Sequence, residues 1–186
     1  VQVPIGYGIL FHQKSVNWMY SSDPVPGLDG RVIYHPRGKV LGGSGSINAL
    51  VYHRGQAGDY DDWAAAGNDG WSYADVAPHF EQLETPPQDD PGAPHLSVTD
   101  NSADFHPMGS DFLEICRQGQ LPVCDAPARE GTGITPYLTT TRDGQRCSSA
   151  KAFLRPAMRR RNLAVVTGAH VSRIGFEGTR ARSVSY

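Results

Sequence analysis

Apolar and polar positions along the chain alternate in short runs, and no single periodicity lasts for more than a few turns. Near the start, Asn17-Trp18-Met19-Tyr20 and Arg31-Val32-Ile33-Tyr34 are aromatic or β-branched, and residues 23–30 between them are almost all turn formers. The pattern predicts two short strands joined by a rigid loop. Apolar spacing with acids in front and Gly67 behind predicts a helix over 59–66. A second helix is expected from Trp71 to Glu84, with Ser72 as N-cap and Asp75 standing where a capping box has Glu or Gln. Pro78 is expected to kink it. Phe112, Leu113, Ile115 and Cys116 mark an amphipathic helix over 111–119. A further helix over 148–158 is expected to be capped by Ser148 or Ser149. Strands are expected over 135–141, 163–168, 170–176 and 183–186, with a weaker one over 95–100 and turns at 142–145 and 177–180. Loops fill 85–94 and 125–133. Helices and strands mix without a βαβ repeat, so the fold class is mixed α/β (α+β).

Composition narrows the classes of function. Gly and Pro make up 35 of the 186 residues, too many for a helical bundle. A net charge of −2 argues against a basic nucleic-acid binder or a polybasic membrane-surface protein. No apolar run approaches the roughly 18 residues of a membrane span, and nothing reads as a signal peptide. Three cysteines without CxxC spacing favour a reducing compartment over a disulfide framework or a zinc site. The expected location is cytoplasmic or peripherally membrane-associated.

The chemistry concentrates in residues 37–60. The glycines of Gly38-Lys39-Val40-Leu41-Gly42-Gly43-Ser44-Gly45-Ser46 permit positive φ and close backbone approach, and their amides can form an anion-binding nest. Arg37 and Lys39 add positive charge at the front, and the set suits a pyrophosphate. An ordinary glycine-rich turn has the same composition. No Gly-Lys-Ser/Thr follows the glycines, so this is no Walker A loop. Asn48 stands where a dinucleotide fingerprint needs its third glycine. Elsewhere the signals are bland. His12, His35, His53, His79, His95, His106 and His170 are scattered without metal spacing. His53 stands out only by following the glycine-rich segment. Ser148 and Ser149 lack recognisable triad company. Arg159-Arg160-Arg161 reads as a solvated helix end, and Trp18, Trp63 and Trp71 as core.

The wording from Gly38 through Ser46, continued by Ile47-Asn48-Ala49-Leu50-Val51-Tyr52-His53-Arg54-Gly55 and Asp59-Tyr60-Asp61-Asp62-Trp63, closely resembles the first signature of the glucose–methanol–choline (GMC) oxidoreductases. The likeness runs through Gly67-Asn68-Asp69-Gly70-Trp71-Ser72-Tyr73. It resumes over 148–156 and 162–186, and is nearest the choline- and alcohol-dehydrogenase branch. It implies a flavoprotein that binds FAD and oxidises the CH–OH group of a small-molecule alcohol, with hydride passing to flavin N5. By the same resemblance, Arg37, Val40, Leu41, Gly42, Gly43 and Ser44 lie along the FAD. Asn48, Ala49, Leu50 and Val51 run beside its ring system, and Val171 meets the adenine. Some relatives attach the flavin to a histidine at the position of Ile47. Isoleucine cannot form that bond, so the FAD is expected to be non-covalent.

Departures from the family pattern set further expectations. The GxGxxG fingerprint, the second signature and the half that carries the catalytic histidine have no counterpart here, so no catalytic residue is assigned and the chain reads as an internal piece. The expected organisation is a partial FAD-binding domain with part of a substrate-binding domain. Residues 1–84 are the flavin-contacting region, 85–158 part of the substrate lobe and 159–186 a return to the FAD-binding strands. Alone, the polypeptide is expected to bind FAD weakly and turn nothing over. A non-catalytic remnant of the family, or a relative of the hydroxynitrile lyases that keeps FAD structurally, are the alternatives.

Overall fold

Two helices show how local chemistry fixes the elements of this computed structural model, which describes residues 1–104, 106–124 and 132–186. Helix α2 (Ala57–Ala65) starts at Gln56, whose side chain and that of Asp59 form a reciprocal capping box. Helix α3 (Tyr73–Glu84) starts at Ser72. Its hydroxyl accepts from the Asp75 amide, while the Asp75 carboxylate accepts from the Ser72 amide. An aspartate therefore does the work of the usual Glu or Gln. Pro78 lies inside α3, which runs on through it to Glu84. Only one amide is lost to the proline, and the flanking turns keep theirs.

The chain divides into two units, Val1–Pro156 and Ala157–Tyr186. In the first, a one-turn α1 (Tyr7–Leu10) is followed by β1 (Tyr20–Ser21), paired antiparallel with β2 (Tyr34–His35). Isolated bridges Asn17–Gly38 and Val25–Arg31 extend this expected excursion in both directions. Strand β3 (Val51–Tyr52) pairs with β4 (Leu138–Thr139). Strands β5 (Thr141–Arg142) and β6 (Gln145–Arg146) form a hairpin. Its two turn residues, Asp143 and Gly144, both have positive φ, the Asp-Gly conformation that matches strand twist. Helix α4 (Pro107–Gln118) begins earlier than its apolar spacing predicts, because His106 accepts from the Met108 amide and Pro107 occupies the first turn.

Three expectations are corrected. The helix expected over 148–158 is present over 149–157, but it is a π-helix over Ala150–Leu154 and only α5 (Arg155–Ala157) is a named α-helix; the Ser148 hydroxyl accepts from the Lys151 amide. Residues 163–168 are irregular: β-branched side chains make a strand only where a ladder partner takes the backbone. Of 95–100, Thr99 alone pairs, with Thr139. The loop expected over 125–133 falls mostly outside the described residues.

The second unit is a hairpin of β7 (Arg173–Glu177) and β8 (Arg180–Ser185), with a register shift at Gly175/Phe176. In the first unit the buried apolar residues include Leu10, Ile47, Leu50, Cys147, Ala150 and Ala152, and Asn17, Ser46 and Arg146 are buried polar residues. The tryptophans are not core. Trp63 and Trp71 are about half exposed, at 51% and 50%, and Trp18 is 38% exposed. Trp63 packs edge-to-face with Tyr60 and Trp71, at centroid distances of 5.5 and 5.6 Å. No helix among the described residues is long and apolar enough to cross a membrane.

Candidate functional site

The glycine-rich segment is a folded loop fastened at both ends by buried polar side chains. At its start, Asn17 is 2% exposed. Its amide nitrogen donates to the carbonyl of Phe11 and to the Tyr34 hydroxyl, and its oxygen accepts from the amides of Met19 and Arg37. Backbone bonds from Trp18 to the Arg37 carbonyl and from Lys39 to the Val16 carbonyl complete that anchor. Within the loop, the Gly38 amide donates to Ser44 Oγ at 3.2 Å and Ser46 Oγ donates to the Leu41 carbonyl at 2.8 Å. Residues Gly43–Ser46 then make a 3-10 turn.

Two glycines are required for different reasons. Gly42 has φ +87°, and a Cβ there would meet Ser46 Oγ at 2.5 Å and the Ala150 Cβ at 2.9 Å. Gly38 has ordinary φ, but a Cβ would be driven into the carbonyl of Gly43. Among the described residues, the amides of Val40, Leu41 and Gly42 have no protein acceptor. Three consecutive free amides, with exposed Arg37 and Lys39 just before them in the chain, are the donors that an anion-binding nest requires. Lys39 Nζ lies 4.7 Å from the Trp18 ring centroid, and Arg37 Nη1 donates to the Pro36 carbonyl.

Beyond the loop, exposure alternates. Ile47 and Leu50 are buried at 1% and 4%, Asn48 is half-buried, and Ala49, Val51 and His53 are exposed. Leu50 holds a left-handed φ of +67°, a conformation unfavourable to leucine. It is pinned from both sides: its amide donates to Asn48 Oδ1, and its carbonyl accepts from the Thr140 amide and hydroxyl. Of the other expected contacts, Val40, Gly42 and Gly43 are half-buried, while Leu41 and Ser44 are exposed. Val171 belongs to the second unit and is exposed.

The sequence reading missed Asn17 and Arg146, whose partners lie up to 145 residues away and leave no local pattern. It also missed a polar cluster at the end of β3. Glu84 accepts from the Tyr52 hydroxyl and from Arg54, with Arg54 Nε at 2.8 Å from Oε1 and Nη2 on Oε2. Burial, then the hydrogen bond and charge of Glu84, push the Tyr52 hydroxyl up to about 12. Its protonated form therefore stabilises the fold fully below pH ~10, and that contribution is lost as pH climbs through the folded value. Tyr52→Phe should unfold with a shallower alkaline limb than wild type between about pH 9.5 and 12, measured as urea midpoints. Parallel curves would remove this linkage.

His53 Nδ1 accepts from the Gly55 amide in a local turn, and His12 stacks on the Tyr34 ring. Among the described residues no group of His, Cys, Asp or Glu is arranged to hold a metal. An apolar groove of about 590 Å3 lies between α2 and α3, lined by Tyr60, Trp63, Trp71, His79 and Phe80 among others. No residue of the glycine loop lines it.

Known proteins share this architecture. The family model for GMC oxidoreductase matches residues 10–186. An oxygen-dependent choline dehydrogenase of Brucella canis is 38% identical over 99% of this chain and 34% of its own length. An alcohol dehydrogenase [acceptor] of Pseudomonas putida is 35% identical over 100% of this chain and 35% of its own. The crystal structure of pyridoxine 4-oxidase from Mesorbium loti superposes with a TM-score of 0.85 at 31% identity, covering 98% of this chain and 37% of that one. The chain thus spans about a third of the length of the curated relatives it matches. Matched by the family model over nearly all of its length and sharing the fold of a solved relative at 31% identity, the chain belongs to the GMC oxidoreductase family.

Proposed function

We propose that the protein is an FAD-dependent oxidoreductase acting on the CH–OH group of an alcohol, choline among the candidates, and that this chain supplies its flavin-facing loop. The observation that carries the reading is the cradle at Val40, Leu41 and Gly42. Its amides are free, Gly38 and Gly42 admit no side chain, and Arg37 and Lys39 stand just before it in the chain. That chemistry fits the pyrophosphate of a dinucleotide better than it fits a neutral ligand. Arg37, Val40, Leu41, Gly42, Gly43 and Ser44 would line the phosphate and sugar side. Ala49 and Val51, exposed on one side of the segment, would face the ring system together with the backbone of Asn48 and Leu50. Leu50 would contribute backbone only, since its side chain is buried. Val171 would meet the adenine.

Bound FAD supplies the two-electron acceptor for the alcohol carbon. The chain's own residues shape and hold the site, and none of them is assigned the alcohol's proton. Buried Ile47 offers no nucleophile, so the flavin is held without a covalent bond. Residues 1–84 are read as the flavin-contacting region, 85–158 as part of the substrate lobe, and 159–186 as strands of the FAD-binding domain.

Purification of the full-length protein that carries this chain, followed by acid precipitation, tests both parts of this reading. About one flavin per polypeptide, released whole into the supernatant, is the expected result. Colourless protein would overturn the FAD assignment, and flavin that stays in the precipitate would overturn the non-covalent one. Turnover with an alcohol panel then tests the oxidoreductase assignment.

A further inference from the structure

We propose that Arg146 is the positioning residue of the flavin-facing segment: from beneath, its guanidinium fixes the path of residues 45–50, so that Ala49 and Val51 are presented on the open side. This rests on the FAD reading above. Arg146 is 1% exposed and is among the largest fully buried side chains in the described chain. Its Nη1 donates to the carbonyl of Gly45 at 3.3 Å and to Asn48 Oδ1 at 2.7 Å, and its Nη2 donates to the Asn48 carbonyl at 2.7 Å. Its Nε donates to the Val1 carbonyl at 3.0 Å. Asn48 Oδ1, held in this way, accepts the amide of left-handed Leu50. One side chain therefore grips both ends of the bend and, through Asn48, the strained residue at its turn.

The choice of residue is specific. Among the described residues Arg146 makes no ion pair, and burial pulls its pKa down. A cation buried against neutral oxygens alone is an expensive way to add stability. What it offers is a rigid planar fork that reaches four acceptors at fixed angles, which a lysine ammonium with three donors cannot reproduce. Three of those four acceptors belong to residues 45–48, so the expense falls where the backbone must be placed accurately.

The test compares wild type, Arg146→Lys and Arg146→Met in the intact protein, with Cys116→Ala in α4 as a destabilised control remote in sequence from the loop. Amide hydrogen exchange over residues 45–50 reads the grip directly. The visible circular dichroism of bound flavin and its dissociation rate read the consequence. Both Arg146 variants should exchange faster at 45–50 and release flavin about tenfold faster or more, with an altered flavin signal, since charged hydrogen bonds are lost. Cys116→Ala should leave the flavin signal unchanged. If Arg146→Met does not fold, Arg146→Lys carries the same expectation. Unchanged exchange in a yellow variant overturns the inference, as does faster exchange with wild-type flavin signal and release. A colourless wild type is a different failure: the FAD reading falls, and this positioning role with it.

Discussion

Gly38→Ala is expected to cost about 3 kcal/mol or more and to abolish stoichiometric flavin binding, because the clash is with backbone. Its Cβ would lie far inside normal contact with the Gly43 carbonyl and 2.7 Å from the Ser44 nitrogen. Neither atom can swing aside as a flexible side chain would. The loop would have to open between its two strands of backbone, breaking the Gly38 amide bond to Ser44 Oγ and spoiling the amide cradle. Gly43→Ala is the matched comparison. Gly43 has φ +54°, and a Cβ there meets nothing within 4 Å. That variant should show only the left-handed strain of a non-glycine residue, about 1 kcal/mol, so any flavin it loses reports contact with the ligand and not a forced-open loop. Chemical denaturation and flavin content of the two purified variants separate close approach from backbone conformation. Equal losses would mean that the loop tolerates neither, and an innocuous Gly38→Ala would refute the close packing.

The same contrast shows what a sequence can disclose. Local chemistry was readable: Ser72 and Asp75 mark a helix start, and Asp143-Gly144 marks a two-residue hairpin turn. The glycine loop was readable as a place where backbone must come close, and its wording placed the family. Which glycine is needed for positive φ and which for contact was not readable, since both look alike in a string. Asn17 and Arg146 were hidden for a stronger reason. In sequence each is an ordinary polar residue beside a short strand, and its role exists only once residues 37 and 48 arrive beside it. Residues 163–168 mislead in the opposite direction, having strand-forming side chains without a ladder partner. The tryptophans were misread because size suggests burial, while edge-to-face packing satisfies Trp63 and Trp71 on an open flank.

Glu84→Ala is expected to destabilise the fold by about 2–3 kcal/mol, at or below the low end for a fully buried pair. The discount follows from partial exposure: the side chains of Arg54 and Glu84 are 22% and 14% exposed. Glu84 closes α3, where the helix dipole disfavours a carboxylate, so Arg54 and Tyr52 must compensate for its position. Removing the carboxylate leaves a half-buried guanidinium and a phenolic hydroxyl without that acceptor, while Arg54 keeps its contact with the Phe80 ring, 5.8 Å from the centroid, and its interaction with Tyr52. Glu84→Gln retains an acceptor oxygen and loses the charge, so it should cost about half as much. Urea midpoints with an unchanged m-value would establish the effect as one on the folded state. Losses below about 0.5 kcal/mol for the alanine variant would class the pair with ordinary surface ion pairs. The cluster also bears on the site, because Tyr52 and Arg54 lie one and three residues after Val51 and tie the far end of that segment to α3. Arg146 fixes the segment's beginning through Asn48, and Glu84 fixes its end. A loss confined to stability, with flavin signal intact, would therefore place positional control at the Arg146 end alone.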